Sequence, residues 1–300
     1  MVVGRSGALI ALRSPGGVRA VRARLAPDER TALVTKMARW MDPAAIARPD
    51  TPGPRTRRVS QPGSGDHSGR GSTPAGESRA VGRGLVSEAV RDAMVDALRR
   101  AGVRDTGVLD AMRTVPRHLF VESALSSRAY EDVALPIGHA QTISRPFTVA
   151  RMIEVLAASL DQASRSSARV LEIGTGCGYQ AAVLARLFGE VVSIERIRGL
   201  HEQARANLRS LRLANLRLVF GDGQHGVAGA APYDLIIAAA AGDAIPSAWL
   251  EQMRPGGRLV APVSGPKGQS LHLVERIGAE RWQLTVLDAV RFVPLRDGTA

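Results

Sequence analysis

The chain has 300 residues, of which 45% are hydrophobic and 23% are charged, with a net charge of +12 and one cysteine. This composition is that of a globular protein: no apolar run reaches the ~18 residues that span a bilayer, and a single cysteine excludes a disulfide framework and a cysteine-cluster zinc site. The charge is concentrated at the amino end, where residues 1–83 hold 15 Lys and Arg against 6 Asp and Glu, while the other 217 residues hold 25 against 22.

Residues 1–84 are predicted to be a disordered basic extension rich in Pro, Gly, Ser and Arg. From Arg48 to Gly84 almost no residue is apolar, so burial cannot offset the entropic cost of ordering the chain. Residues 27–41 form either a short amphipathic helix or a fluctuating tail, and we favour the tail. The apolar stretch GALIAL is too short for a secretory signal. The arginines of the extension predict weak binding of polyanions.

A small helical region is predicted over residues 85–165. Ser87 is placed to cap a first helix, and Gly102 to end it. A second helix ends at Pro116, and a third begins after a long loop, with Ser144 at its start and Pro146 in its first turn. The apolar residues at helical spacing are Val90, Met94, Ala97, Leu98 and Ala101 in the first helix, Val108, Leu109, Met112 and Val115 in the second, and Val149, Met152, Ile153, Leu156 and Leu160 in the third.

Residues 166–300 are predicted to form an α/β core. Apolar runs alternate there with segments of helix length or with turns, and the runs are RVLEIG, VVSIE, LRLVFGDG, DLIIAAAA, GRLVAPV and LHLVERI. Alternation of this kind predicts a mostly parallel central sheet with helices on both faces.

A glycine-rich loop, GTGCGY, directly follows the first of these strands. Gly174, Gly176 and Gly178 allow the backbone to turn tightly and to approach a ligand closely. A dinucleotide-binding fingerprint needs a small residue where this chain has Tyr179, and a P-loop needs a Gly-Lys-Ser/Thr sequence that is missing. A G-x-G-x-G loop preceded by Glu172 favours a ligand with a cationic amino-acid end, and S-adenosyl-L-methionine is such a ligand.

Two further acids stand at the ends of the next two strands. Glu195 lies about 20 residues after the loop, where a carboxylate can accept ribose hydroxyls, and Asp222 can accept the adenine amino group. Each acid alone is also explained as a solvated strand end or a turn, but three at successive strand ends favour a cofactor site. Cys177 is interpreted as a small spacer, and no side-chain cluster indicates a metal. The predicted cofactor-binding residues are Glu172, Gly174, Thr175, Gly176, Gly178, Glu195, Asp222 and Gly223.

Residues 85–300 resemble the protein-L-isoaspartate O-methyltransferase family. The resemblance rests on VPRHLFV (115–121), ALPIGHAQTISRPF (134–147), VLEIGTGCGYQAAVLA (170–185), VVSIERI (191–197), GDG (221–223), QMRPGGRLVAPV (252–263) and VRFVPL (290–295). PIGHAQTIS and RFVPL are far more particular to this family than the glycine loop. The chain departs from the family at residues 238–241, four alanines where the family commonly has Thr-Ala-Ala-Pro.

The resemblance implies a Rossmann-like S-adenosylmethionine-dependent methyltransferase fold. It also implies an activity, methylation of the free carboxylate of L-isoaspartyl residues in damaged proteins and peptides. The ester then collapses to a succinimide, whose hydrolysis returns some normal aspartate. In this family the serine of QTIS, here Ser144, is regarded as the active-site residue, and Thr142 supplies a second hydroxyl. The candidate substrate-binding residues are His139, Ile143, Arg291 and Val293.

Such a reaction needs no general base, because a carboxylate with a pKa of about 4 is ionised at neutral pH. Two other readings stay open: a methyltransferase for RNA or a small molecule that uses the basic tail, and a binding protein that has lost turnover. Ser144 also has a structural reading as a helix cap, compatible with a catalytic one. We expect a cytoplasmic, monomeric enzyme with no membrane or specific nucleic-acid partner.

Overall fold

The computed structural model describes residues 9–14, 17–22 and 88–300. Within the predicted extension it contains two antiparallel strands that the sequence did not predict, β1 (Leu9–Ser14) and β2 (Gly17–Arg22). The candidate helix at 27–41 and the Pro- and Gly-rich stretch at 48–84 lie outside the described residues. The division of the chain at residue 84 therefore stays a prediction.

The helical region begins close to where the sequence places it. The second helix is capped by Asp105, whose carboxylate accepts a hydrogen bond from the backbone N–H of Val108 at 3.0 Å. Val90, predicted for the buried face of the first helix, is instead 41% exposed. The helices of this region are α1 (Glu88–Arg100), α2 (Thr106–Thr114), α3 (Pro146–Ala157) and α4 (Gln162–Ser167), and α3 follows a short antiparallel pair, β3 (Leu135–Pro136) and β4 (Thr142–Ile143).

A seven-stranded sheet forms the core, in the order β11-β10-β9-β8-β5-β6-β7. Strands β5 to β9 run parallel to one another, and β10 is antiparallel to both β9 and β11, so the predicted mostly parallel sheet is confirmed. The strands are β5 (Arg169–Ile173), β6 (Glu190–Glu195), β7 (Leu216–Phe220), β8 (Tyr233–Ala238), β9 (Met253–Gly265), β10 (Gly268–Gly278) and β11 (Arg281–Val290), and the helices between them are α5 (Tyr179–Leu187), α6 (Arg198–Leu208) and α7 (Ser247–Glu251).

Successive side chains of β5 pack into different apolar clusters. Val170 belongs to a cluster that includes residues of α1 to α3, α5 and α6, whereas Leu171 and Ile173 belong to a second cluster with Trp249 of α7. This follows from the two-residue period of a strand. The strand order also reverses beside β5, because β6 pairs with one of its edges and β8 with the other. Ligands bind at such a reversal in open α/β sheets.

The RFVPL segment is not the last strand of the sheet. That position belongs to β11, and the segment after it turns across the carboxyl ends of the strands. There the N–H of Ala241 donates to the carbonyl of Val293 at 2.8 Å, and the N–H of Leu295 donates to the carbonyl of Ala241 at 2.7 Å. The segment thus pairs with the alanine-rich loop that follows β8, the point at which the chain departs from the family sequence.

Candidate active site

A cleft open to solvent lies at the carboxyl ends of β5, β6 and β8. Residues from distant motifs meet in it: the glycine loop after β5, the end of β6, the β3–β4 region and the RFVPL segment. The predicted site residues that line it are Thr142, Ile143, Ser144, Gly174, Thr175, Gly176, Glu195, Gly223 and Val293. Glu172, Gly178, Asp222, His139 and Arg291 do not line this cleft.

The glycine loop turns back onto β6. The N–H groups of Gly174 and Thr175 both donate to the carbonyl of Ile194, at 2.9 and 3.2 Å. Gly174, Gly176 and Gly178 all have positive φ values, of 89°, 55° and 93°, which residues with a Cβ rarely adopt. The sequence therefore forms a bare backbone concavity at this edge of the sheet.

Gly178 has a packing role instead of lining the cleft. It precedes α5, and a Cβ added to it would lie 2.8 Å from Cδ1 of Leu208 on α6. The glycine thus allows the two helices to approach each other closely.

Glu195 is held rigidly at the end of β6. One carboxylate oxygen accepts the N–H of Gly176 and the other accepts the N–H of Ile197, both at 2.9 Å. The side chain is almost fully buried yet contributes to the cleft wall. Each oxygen has a second lone pair, so the carboxylate can accept ligand hydroxyls while keeping both backbone contacts.

Glu172 lies fully buried beside the cleft and is not part of its lining. Ser193 donates its hydroxyl to one oxygen of this carboxyl, and Thr175 bonds Ser193 in turn at 2.6 Å. Burial raises the pKa of Glu172 to about 8. Its other oxygen and both polar atoms of the Gln180 side chain make no hydrogen bond of standard geometry within the described part of the chain, although the Gln180 side chain lies close enough to oppose part of the rise in the pKa of Glu172.

Those unpaired atoms matter because Gln180 lines the cleft. Buried polar atoms are normally hydrogen-bonded, so such a cluster indicates a place for a polar ligand group or water. The cleft therefore offers donors and acceptors that fit S-adenosyl-L-methionine. The glycine-loop backbone and the Gln180 amide beside Glu172 suit its amino-acid end, and the fixed carboxylate of Glu195 suits its ribose.

Asp222 is occupied by backbone contacts. One oxygen accepts the N–H of Gln224 at 2.8 Å, and the other accepts the N–H of Gly298 at 2.7 Å. The final residues are also tied to the start of α6, where Arg198 donates its N–H to the carbonyl of Ala300. The role of Asp222 toward adenine stays a prediction, and its neighbour Gly223 is the residue that reaches the cleft.

Ser144 does not cap α3. The cap position is taken by Arg145, and the N–H of Phe147 donates instead to the side chain of Asp132 at 2.8 Å. The Ser144 hydroxyl makes no hydrogen bond among the described residues, and the side chain is half-buried at the cleft wall. The structural reading of this serine as a helix cap is therefore wrong, and its hydroxyl is available to a ligand.

A second cavity, of about 690 Å³, adjoins the first. The two share Thr142, Ser144, Ala239 and Val293, so both candidate hydroxyls lie where the cavities meet. Arg291 lines this second cavity.

His139 lines neither cavity. Its ring lies over Gly199 at the start of α6, where an added Cβ would lie 2.5 Å from Nε2. The residue has a φ of 53°, in the left-handed region. The structure thus places this candidate on the outside of the loop whose Ile137 and Gln141 reach the cleft.

Several cleft residues were missed by the sequence analysis. Ala239 and Ala240 directly follow β8, so the strand-end argument could have found them. Most of the others lie inside the quoted motifs, but their residue types do not by themselves indicate a ligand contact; the others are Ile137, Gln141, Val149, Ile173, Cys177, Tyr179, Gln180, Ile194, Arg196, Ile197, Leu200, Pro294, Leu295 and Arg296. Burial raises the pKa of the Cys177 thiol to about 11, which supports its reading as a spacer and not a nucleophile.

The profile of one protein family, protein-L-isoaspartate(D-aspartate) O-methyltransferase, matches residues 89–300. The chain belongs to this family. Among its members, the protein-L-isoaspartate O-methyltransferase of Bordetella avium is 59% identical over 216 residues, which are 72% of this chain and 80% of the relative. That of Burkholderia thailandensis is 52% identical over 257 residues, 85% of this chain and 76% of the relative. The second alignment reaches into the predicted extension.

Solved structures agree with the assignment. A protein-L-isoaspartate O-methyltransferase with 32% identity superimposes with a TM-score of 0.62, covering 68% of this chain and 65% of that one. A Plasmodium falciparum structure described as a complex of such an enzyme with S-adenosyl-L-homocysteine has 20% identity and a TM-score of 0.60, and it supports the fold alone. In the described part of the chain no cluster of three metal-ligating side chains occurs. No helix found there is long and apolar enough to cross a membrane.

Proposed function

We propose that this protein transfers the methyl group of S-adenosyl-L-methionine to the free carboxylate of L-isoaspartyl residues in damaged proteins and peptides. The observation that carries the proposal is the junction of two cavities at Ser144 and Thr142, one lined by a cofactor-type glycine loop and the other by residues of α3 and the RFVPL segment. The names of the relatives, at 52 to 59% identity, support the same acceptor.

The cofactor is assigned to the first cavity. The backbone of the glycine loop and the side chain of Gln180, with the buried Glu172 carboxyl next to it, would hold its amino-acid end, and the carboxylate of Glu195 would accept its ribose hydroxyls. Bound there, it supplies a methyl group already activated by a positively charged sulfur.

The acceptor carboxylate is assigned to the junction of the cavities. It is already ionised near neutral pH, so the residues need to orient it and not to deprotonate it. The hydroxyls of Thr142 and Ser144 can donate to its oxygens. Buried Ile143 helps to exclude water from the junction. Orientation of this kind can supply about 7–11 kcal/mol of the barrier.

The polypeptide on either side of the damaged residue is assigned to the second cavity. Its walls include the apolar side chains of Phe147 and Phe292 and the charged side chains of Arg151 and Asp288. An open cavity of this size accepts an extended chain without requiring one sequence. Arg291 and Val293 would contact that chain from the RFVPL segment.

The deciding experiment uses labelled S-adenosylmethionine and two peptides, one with L-isoaspartate and its twin with normal aspartate. We expect base-labile label on the isoaspartyl peptide only. Label on neither peptide, with cofactor binding intact, would favour another acceptor, such as RNA or a small molecule. Loss of cofactor binding as well would overturn the methyltransferase reading.

We also infer a monomeric enzyme of the cytoplasm that binds no specific nucleic acid. The charge surplus that would attract a polyanion belongs mainly to residues 1–83. Light scattering of the purified full chain tests the monomer, and a mass of two or more chains would overturn it.

A further inference from the structure

Arg117, in the VPRHLF motif, is a fully buried arginine directly behind the acceptor site. Its exposed fraction is 0%. The guanidinium donates to the carbonyl of Ser144 at 2.8 Å and to the carbonyl of Ala129 at 2.7 Å. It also lies 4.8 Å from the centre of the Tyr179 ring. Ser144 and Tyr179 both line the cofactor cleft, so this cation sits immediately beneath the cleft wall.

No carboxylate neutralises this charge by direct contact. Arg117 forms no ion pair among the described residues; its Nη1 makes no hydrogen bond of standard geometry there, and the polar side chain beside the guanidinium is the hydroxyl of Tyr179. The acid that acts on it through space, Asp132, is bound to Arg145 and to the N–H of Phe147.

Two further neighbours could neutralise the cation only by losing a proton. Burial raises the pKa of Tyr179 to about 12 and that of Cys177 to about 11. Both side chains are therefore neutral near pH 7. A buried cation is normally paired, because removing a charge from water costs free energy, so one kept unpaired beside a binding site points to an anionic ligand.

We propose that Arg117 is a positioning residue that makes the acceptor site selective for an anion, by fixing the Ser144 backbone and by raising the electrostatic potential at the junction of the two cavities. The proposal rests on the proposed function, since the anion concerned is the isoaspartyl carboxylate. Arg117 does not itself touch the acceptor; it acts through Ser144 and through the field across the cleft wall.

The reaction determines which constant Arg117 controls. A carboxylate oxygen forms a bond to the methyl carbon, the carbon–sulfur bond breaks, and its electron pair stays on sulfur, so an anion and a cation become two neutral groups. A fixed positive charge therefore stabilises the bound anionic acceptor more than the transition state, in which that charge is partly lost. Arg117 should therefore lower KM for the peptide without raising kcat. It should also favour the neutral product S-adenosylhomocysteine over the cationic cofactor.

Two affinity ratios measure this charge without relying on turnover. The first ratio is the affinity for an isoaspartyl peptide divided by the affinity for its isoasparaginyl twin, in which a carboxamide replaces the carboxylate. Both affinities are measured by calorimetry in the presence of S-adenosylhomocysteine. The second ratio is the affinity for S-adenosylhomocysteine divided by the affinity for S-adenosylmethionine. In Arg117→Met we expect the first ratio to fall about tenfold and the second about threefold. KM for the isoaspartyl peptide should rise about tenfold, with kcat changed less than about threefold.

Controls separate charge from folding. Arg117→Lys, measured at about pH 6 to keep a buried lysine protonated, should retain most of the first ratio. Arg165→Met removes another buried arginine, one that pairs with Asp105 away from the cleft; it should lower Tm and leave both ratios unchanged. Wild-type ratios in Arg117→Met would overturn the proposal, as would equal losses in the Lys and Met variants.

Failure of the proposed function would look different. If wild-type protein bound neither peptide, the isoaspartyl acceptor would be wrong, and the cofactor ratio would decide on Arg117 alone. If Arg117→Met did not fold, Arg117→Gln would serve as the neutral variant. If neither variant folded, the first affinity ratio of the wild-type protein would decide: a preference for the isoaspartyl over the isoasparaginyl peptide below about tenfold would overturn the charge role.

Discussion

At the residue scale, Ser144 offers the most direct test of the acceptor site. Its hydroxyl has no structural hydrogen bond in the described chain, so Ser144→Ala should leave Tm unchanged. A hydrogen bond to a charged group contributes about 1.5–3 kcal/mol, so we expect kcat/KM for an isoaspartyl peptide to fall roughly 10- to 100-fold. Ser166→Ala is the matched control, because that hydroxyl bonds only the carbonyl of Ala163 at the surface. Wild-type kcat/KM in Ser144→Ala would remove the role assigned to this serine.

Glu172 makes stability depend on pH in an unusual direction for an acid. Its pKa is about 8 in the folded protein, against a reference value of 4.5. Between these pH values the folded protein holds a proton that the unfolded chain has released, so raising the pH favours unfolding. The slope from this residue approaches roughly 1.4 kcal/mol per pH unit.

Glu172→Gln removes that titration. The free energy of unfolding of the variant minus that of wild type should therefore increase as the pH rises from about 5 to 8. Urea unfolding at several pH values measures the difference between the two proteins. A difference that stays constant over this range would show that Glu172 is ionised in the folded state.

At the element scale, Gly178 sets the distance between α5 and α6. Gly178→Ala meets two obstacles, a φ of 93° and a contact of 2.8 Å with Cδ1 of Leu208. We expect a loss of about 1–3 kcal/mol in the free energy of unfolding. Gly229→Ala is the control, since a Cβ there meets nothing within 4 Å. Combining Gly178→Ala with Leu208→Ala should give less than the sum of the two single losses, and strict additivity would argue against the contact.

Most elements could be predicted from the sequence because their signals are local. The stripe of Val108, Leu109 and Met112 in α2 and the apolar runs of β5 to β10 show the periodicity that burial imposes. Strand β11 was missed because it lies at the edge of the sheet, where only Leu284 of its residues is buried. An edge strand with one buried residue has no clear alternation to detect.

The site could be predicted less completely, because part of it depends on long-range contacts. The glycine loop and Glu195 follow from strand ends, which sequence reveals. Ser144 looked like a helix cap because its spacing fits one, but Asp132, distant in sequence, takes that role. Arg117 gives no local signal, since its importance comes from the Ser144 carbonyl across 27 positions of chain. Contacts of this kind exist only once the β3–β4 region has packed.

At the scale of the whole molecule, the basic extension separates two readings of the protein. The two apolar clusters of the described structure are built from residues after position 88, and so is every residue that lines the cleft. Deleting residues 1–84 should therefore leave kcat/KM for an isoaspartyl peptide within about twofold of wild type, because the deletion removes no residue that lines the cleft. The same deletion should abolish salt-sensitive retention on a heparin column, because most of the positive surplus is removed.

A methyltransferase that uses the extension to hold a polyanionic acceptor predicts the opposite pattern. Its activity on RNA would fall with the deletion, and full-length protein would methylate RNA at a rate that declines steeply with salt. The full-length protein and the deletion variant should both be assayed at matched ionic strength on the isoaspartyl peptide and on total RNA, with Tm recorded to exclude loss of folding. Peptide methylation that survives the deletion, with no RNA methylation by either protein, is the result that the charge distribution leads us to expect.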